Sequence, residues 1–201
     1  MLRLNYTEKE RDKLTILINL LGAPSVGKST TAGRLFAKLK GMDLNAEYVQ
    51  EYVKQWVYIG RTVSPYDQFH LFGQEAHNQS HLFNKVDFII SDSPVMLTAF
   101  YHLYANGDNA LREVCKDFYD MAERLDNVKV LNFLLPRKKE YQNVGRFHTQ
   151  EQADEIEHLL RCFLEVEAYP YEELTCPDEE RVDKIMKCLS EVGGLNGMAM
   201  V

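Results

Sequence analysis

The sequence predicts an α/β protein of three layers, with a mostly parallel five-stranded sheet flanked by helices. Two observations carry that expectation. Apolar runs of strand length alternate with stretches of helical periodicity along the chain. The first run, Leu14 to Leu21, also leads directly into Gly22-Ala23-Pro24-Ser25-Val26-Gly27-Lys28-Ser29, which fits the pattern GxxxxGK[ST]. Beyond it, Ser29 to Lys40 carries Leu35, Phe36 and Leu39 at helical spacing. Strand, tight loop and helix, in that order, is the context a phosphate-cradling P-loop requires, so the fold is of P-loop NTPase type. Gly22 and Gly27 let backbone N–H groups turn inward without a Cβ in the way, and the helix that follows presents its positive end to an anion. Lys28 is placed to reach the β- and γ-phosphates of ATP. Ser29, followed by Thr30, offers a hydroxyl to Mg²⁺.

The 201 residues, 45% of them hydrophobic, suffice for one sizeable core, and no Pro/Gly/Ser-rich linker divides them. A single domain over 1–201 is expected, with a core from 14 to 192. The net charge of −7 argues against an extended nucleic-acid surface. Cys115, Cys162, Cys176 and Cys188 are dispersed without a CxxC pair, which fits reduced thiols in a cytoplasm rather than a zinc cluster or disulfide scaffold. The charged stretch Met1 to Lys13 is no signal core, and no apolar run is long enough for a membrane span. A soluble, cytoplasmic protein is expected. Its oligomeric state stays open, a homodimer among the options.

Past the first helix, Ala46 to Val49 reads as a second strand that delivers Glu51 and Tyr52 to the carboxyl edge of the sheet, where ligands of open α/β sheets bind. Glu51 there is a candidate for a substrate hydroxyl or a metal-bound water. Val53 to Ile59, with the sole tryptophan Trp56, reads as a short helix. Ser64-Pro65-Tyr66-Asp67 then opens a long helix to about Asn84, with Ser64 as cap and Pro65 in the first helical position. Its amides Gln68 and above all Gln74 are candidates to read a nucleobase or carboxamide. His77 and His81 stand four apart, but no carboxylate completes a zinc motif.

Val86 to Ser91 is an apolar strand ending in Asp92, a Walker B type arrangement that places a carboxylate near Ser29 to orient Mg²⁺. Asn84-Lys85-Val86-Asp87 matches the guanine-reading string NKxD but precedes its strand, at the edge of the sheet away from the phosphates. Helices follow over 95–104 and 108–125, then a fourth strand from Val128 to Leu135. The basic strip from Pro136 to His148 is a candidate lid in which Arg137, Lys138 or Arg146 neutralises charge on a transferred group. Thr149 to Gln152 is a capping box opening a helix to Glu165, Tyr171 to Cys176 is a short fifth strand, and Pro177 to Val192 is a last helix stopped by Gly193-Gly194. The small, uncharged residues 195–201 read as a frayed tail.

Taken together, Gly22 to Ser29, the Glu51-Tyr52 pair, Asp92-Ser93-Pro94, and the Pro136 to Arg146 strip followed by Thr149-Gln150-Glu151 resemble the NadR-type P-loop kinase/ATPase family. The family is ribosylnicotinamide-kinase-like and includes short stand-alone phage members. The resemblance spans about Leu14 to Val192 and implies a nucleoside-monophosphate-kinase-like strand order. It implies that Lys28 and Ser29 carry ATP and Mg²⁺, that Asp92 assists the metal, and that Glu51 contacts or deprotonates the acceptor hydroxyl with Tyr52 beside it. Arg137 and Arg146 then act from the lid. The acceptor is a small nucleoside or nucleotide, with nicotinamide riboside, another nucleoside and a nucleoside monophosphate all open, and a phage-encoded protein would act in the host cytoplasm. A kinase unit without the adenylyltransferase domain of bifunctional relatives is expected. A regulatory P-loop ATPase or binding module without an acceptor is the alternative, and it predicts no acceptor-dependent turnover.

Overall fold

The computed structural model describes residues 13–137 and 149–193. Lys138 and Arg146 of the expected lid, and the expected tail, lie outside these residues. The elements run β1 (Thr15–Leu21), α1 (Lys28–Gly41), β2 (Ala46–Val49), α2 (Lys54–Tyr58), α3 (Asp67–Ser80), β3 (Phe88–Ser91), α4 (Val95–Asn106), α5 (Arg112–Asp126), β4 (Val128–Leu134), α6 (Gln150–Val166), β5 (Glu172–Glu173) and α7 (Arg181–Glu191). The five strands form one parallel sheet in the order β2-β3-β1-β4-β5. Every residue of β1 is buried, as a central strand covered on both faces must be. Leu17, Ile18, Leu20 and Leu21 are completely enclosed, each contributing roughly 1.5–3 kcal/mol of burial. Thr15 belongs to the same strand and is equally buried, and its hydroxyl is satisfied by donating to the Val86 carbonyl at 2.8 Å and accepting from the Asn84 N–H at 3.1 Å.

The strand order positions the site. With β3 inserted between β1 and β2, the chain ends leaving those three strands, the P-loop, Asp92 and Glu51, emerge side by side at one edge. α1 lies on β1, β2 and β3 and against α7, α5 lies on β4, and α3, α4 and α5 pack in series.

Three helix starts differ from the sequence expectation. α5 begins at Arg112 and not at Asp108, whose carboxylate accepts the Ala110 N–H at 2.9 Å in the turn before it. α3 begins at Asp67, because the Asp67 carboxylate accepts the Ser64 N–H at 2.7 Å while Ser64 O accepts the Asp67 N–H. The turn is therefore closed by Asp67 and not by Ser64 as a cap. The helix ends at Ser80, and Asn84 just beyond adopts a left-handed φ of 61°. α7 begins at Arg181, not at Pro177, because residues 177–180 are used in a turn in which the Glu180 N–H donates to Pro177 O. The capping box at Thr149 is present as expected, its hydroxyl accepting from the Gln152 N–H and the Gln152 side chain accepting from the Thr149 N–H.

Candidate functional site

The P-loop backbone takes conformations that its residue types permit. Gly22 has φ 145°, and a Cβ there would stand 2.7 Å from Leu135 O and 2.8 Å from Val26 Cγ2, so only glycine lets the loop pass this close to the end of β4. Gly27 caps α1 at φ 95°, where the Thr31 N–H donates to Gly27 O at 2.9 Å. Between them Ser25 is left-handed as well, at φ 68°. The Lys28 ammonium bends back over the loop and donates to Gly22 O at 2.8 Å and Ala23 O at 3.1 Å. Of the other loop residues, Ala23 and Val26 are buried, Pro24 and Ser29 are half-buried, and Thr30 is exposed.

Asp92 is almost fully buried, and both of its oxygens are used. Oδ2 accepts from the Tyr48 hydroxyl at 2.7 Å and Oδ1 from the Glu51 N–H at 2.9 Å. Burial and the Asp92 charge push the Tyr48 phenol well above its ordinary range, and the Ser29 hydroxyl, bonded to it, pulls the other way. Ser29, Tyr48, Asp92 and the Glu51 backbone thus form one chain of contacts from the P-loop to the end of β2. The donor set is a hydroxyl and a carboxylate, which suits a hard cation such as Mg²⁺. Among the described residues no cluster of three or more His, Cys, Asp or Glu could hold a metal.

Beside the P-loop lies a cavity of about 460 Å³, large enough for a nucleoside. It is lined by Pro24 and Lys28 from the loop, by Glu51, and by Gln68, Leu71 and Glu75 on one face of α3. Ser64 and Pro65 close one side, and Leu97, Tyr101 and Tyr104 of α4 another. The Arg61 guanidinium lies 3.6 Å over the Trp56 ring and pairs with Asp67 at 2.8 Å, which anchors residues 62–65 of the wall.

Glu75 carries the most unusual carboxyl of the cavity. It is 2% exposed and accepts the Tyr52 N–H at 3.0 Å. Burial above all raises it to about 8, helped by the charges of Glu51 and Asp92 and opposed by the Tyr52 N–H and the Ser93 hydroxyl. From its usual 4.5 to about 8 the folded chain holds a proton that the unfolded chain does not. Its contribution to stability is therefore greatest below 4.5 and is lost as the pH rises through about 8. Glu75→Gln cannot ionise but keeps a carbonyl for Tyr52. We expect it to exceed the wild type by about 1–3 kcal/mol in stability at pH 8 and to match it near pH 5, a difference read from urea melts across that range. Parallel pH profiles for the two proteins would refute the assignment.

The expected site residues fall into three groups. Lys28, Ser29, Glu51 and Asp92 meet at the sheet edge. Tyr52 contributes its N–H to Glu75, while its ring packs against Trp56 and His70. Gln74 does not line the cavity. Its amide donates to Asn78 at 2.9 Å, and the face of α3 turned to the cavity is that of Gln68, Leu71 and Glu75. Arg137 is drawn to α6, with its guanidinium 3.1 Å from Asp154 and 3.7 Å from Glu157. Tyr48 and Glu75 escaped the sequence reading. For Glu75 a signal existed: an acid seven residues after Gln68, on the same helical stripe as Leu71. For Tyr48 none did, since its partner Asp92 lies 44 positions away.

Residues 17–181 match the family AAA_28, described as an AAA domain. Among solved structures, NadR in complex with NR superposes with a TM-score of 0.68 at 18% identity, over 96% of this chain and 55% of that one. The chain thus spans about half the length of NadR. Deoxyadenosine kinase from M. mycoides, with products dCMP and dCDP bound, gives a TM-score of 0.57 at 14% identity, over 88% of this chain and 99% of that one. At such identities the likeness is one of fold, a parallel five-stranded sheet flanked by helices as in P-loop kinase structures. No curated protein matches the chain. Among the described residues no helix is long and apolar enough to cross a membrane. The match over residues 17–181 covers most of the chain, which therefore belongs to the AAA_28 family of P-loop domains.

Proposed function

We propose that the protein is an ATP- and Mg²⁺-dependent phosphotransferase whose acceptor is a small nucleoside or nucleotide, with nicotinamide riboside among the candidates. One observation carries the reading: the P-loop and the 460 Å³ cavity share Lys28 and Pro24, and Glu51 lines the same cavity. A donor phosphate in the loop and an acceptor in the cavity would then meet at the lysine, with a carboxylate beside the acceptor hydroxyl. Phosphoryl transfer needs little else than such positioning and charge stabilisation. NadR was solved with NR and the deoxyadenosine kinase with nucleotide products, which supports an acceptor of this size and class.

In this reading Lys28 exchanges the carbonyls of Gly22 and Ala23 for phosphate oxygens of ATP. Ser29 and Asp92 would hold Mg²⁺, which supplies charge neutralisation at the phosphates. Glu51 orients or deprotonates the acceptor hydroxyl, while Gln68 and Glu75, both buried in α3, are available to the rest of the acceptor. The walls contributed by Val53, Val57, Leu97 and Tyr101 keep water from the transferred group.

The test is ADP release by the pure protein with ATP and Mg²⁺, alone and with nucleosides, nicotinamide riboside and nucleoside monophosphates in turn. One acceptor should accelerate release at least tenfold and gain the mass of one phosphoryl group. Slow release indifferent to every acceptor would remove the kinase reading and favour a regulatory ATPase.

A further inference from the structure

Arg181, the first residue of α7, is 1% exposed, and its guanidinium reaches three loops at once. Nη1 donates to Val26 O, in the P-loop, at 2.8 Å. Nη2 donates to Pro136 O, just past the end of β4, at 3.0 Å, and pairs with Asp178, in the turn before α7, at 3.0 Å. Its Nη1 also stands 3.2 Å from where a Cβ on Gly27 would lie, so it sits directly behind the left-handed turn that opens α1. Nε finds no acceptor among the described residues.

Stability alone is a poor account of this arrangement. Taking a guanidinium out of water costs several kcal/mol, and an apolar side chain of similar volume usually fills such a position at no loss. What the guanidinium adds is a rigid fork: two carbonyls from segments more than a hundred residues apart in sequence are held at fixed separation by one planar group.

We propose that Arg181 is a positioning residue that makes the P-loop and the segment leaving β4 respond together to a phosphate bound in the loop. The inference rests on the nucleotide reading of the P-loop above. It concerns how the loop communicates, not which acceptor is used.

The experiment is amide hydrogen exchange on the full chain with and without ATP and Mg²⁺, comparing the wild type with Arg181→Lys, which keeps the charge but not the fork. In the wild type, nucleotide should slow exchange at Gly27 and Lys28 and also at Leu135 and Arg137. In Arg181→Lys the first pair should remain protected, while protection at the second falls about tenfold. If both pairs stay protected, even in a variant that melts earlier, Arg181 is merely structural and the proposal fails. Protection confined to Gly27 and Lys28 in the wild type also overturns it. No protection anywhere in the wild type would instead bring down the nucleotide reading. Should Arg181→Lys not fold, Arg181→Met, which fills the position with an apolar chain and removes both carbonyl bonds, takes its place, and the same loss at Leu135 and Arg137 is expected.

Discussion

Lys28→Ala should lower ATP turnover by a factor on the order of 10²–10³ while leaving the melting temperature nearly unchanged. The two halves of that expectation have separate causes. The ammonium is part-buried and its partners are the carbonyls of Gly22 and Ala23; because Lys28 lines the cavity, water entering in its place can satisfy them, so its loss costs the fold little. For a phosphate the same loss is severe. The loop's remaining contribution is backbone N–H groups, and among the described residues the only other lysine lining the cavity is Lys54, on α2. Turnover and thermal melting measured on one preparation check both halves. Turnover within tenfold of the wild type would mean that the ammonium is not the phosphate ligand.

Most of the architecture was legible because the physics behind it is local. β1 announces itself as an unbroken apolar run, the P-loop as a spacing of glycines and a lysine, and α6 by its capping box. Helix starts were less legible where a turn takes up the first residues, closed by a side chain at Asp67 and by the backbone before Arg181. The site was legible where a residue ends a strand, as Glu51 and Asp92 do, since strand ends at one edge converge whatever the rest of the chain does. It was not legible where a residue's role is set by a distant partner. Gln74 and Glu75 are neighbours on the same helix, and only the packing of α3 against α4 decides which of them faces the cavity. Tyr48 reads as an ordinary strand residue until β3 is inserted beside β2, and Arg181, inside the helix expected from Pro177, carries no signal of its burial until Val26 and Pro136 close over it.

Asp92→Asn and Glu51→Gln should separate in the same assays, although both remove one carboxylate from the sheet edge. Asp92 accepts two donors inside the protein, the Tyr48 hydroxyl and the Glu51 N–H. An asparagine keeps one acceptor oxygen for the Glu51 N–H but meets Tyr48 with an NH₂ group, so the phenol must turn from donor to acceptor and two charge-assisted bonds are lost in a buried place, at a cost of about 1–3 kcal/mol. Asp92→Asn is therefore expected to lose stability and activity together. Its loss of charge should also let Glu75 ionise at lower pH, because the Asp92 carboxylate helps to hold Glu75 protonated. In Glu51→Gln the backbone N–H that meets Asp92 is untouched and the side chain lines the cavity, so stability should stay within about 0.5 kcal/mol of the wild type. Its acceptor-dependent kcat should fall by about 10²–10⁴, with a much smaller change in KM for ATP. A Glu51→Gln enzyme with full kcat would move the acid–base role away from Glu51. An Asp92→Asn protein as stable as the wild type would show that the bond chain from Ser29 through Tyr48 to the end of β2 does not hold the sheet edge together.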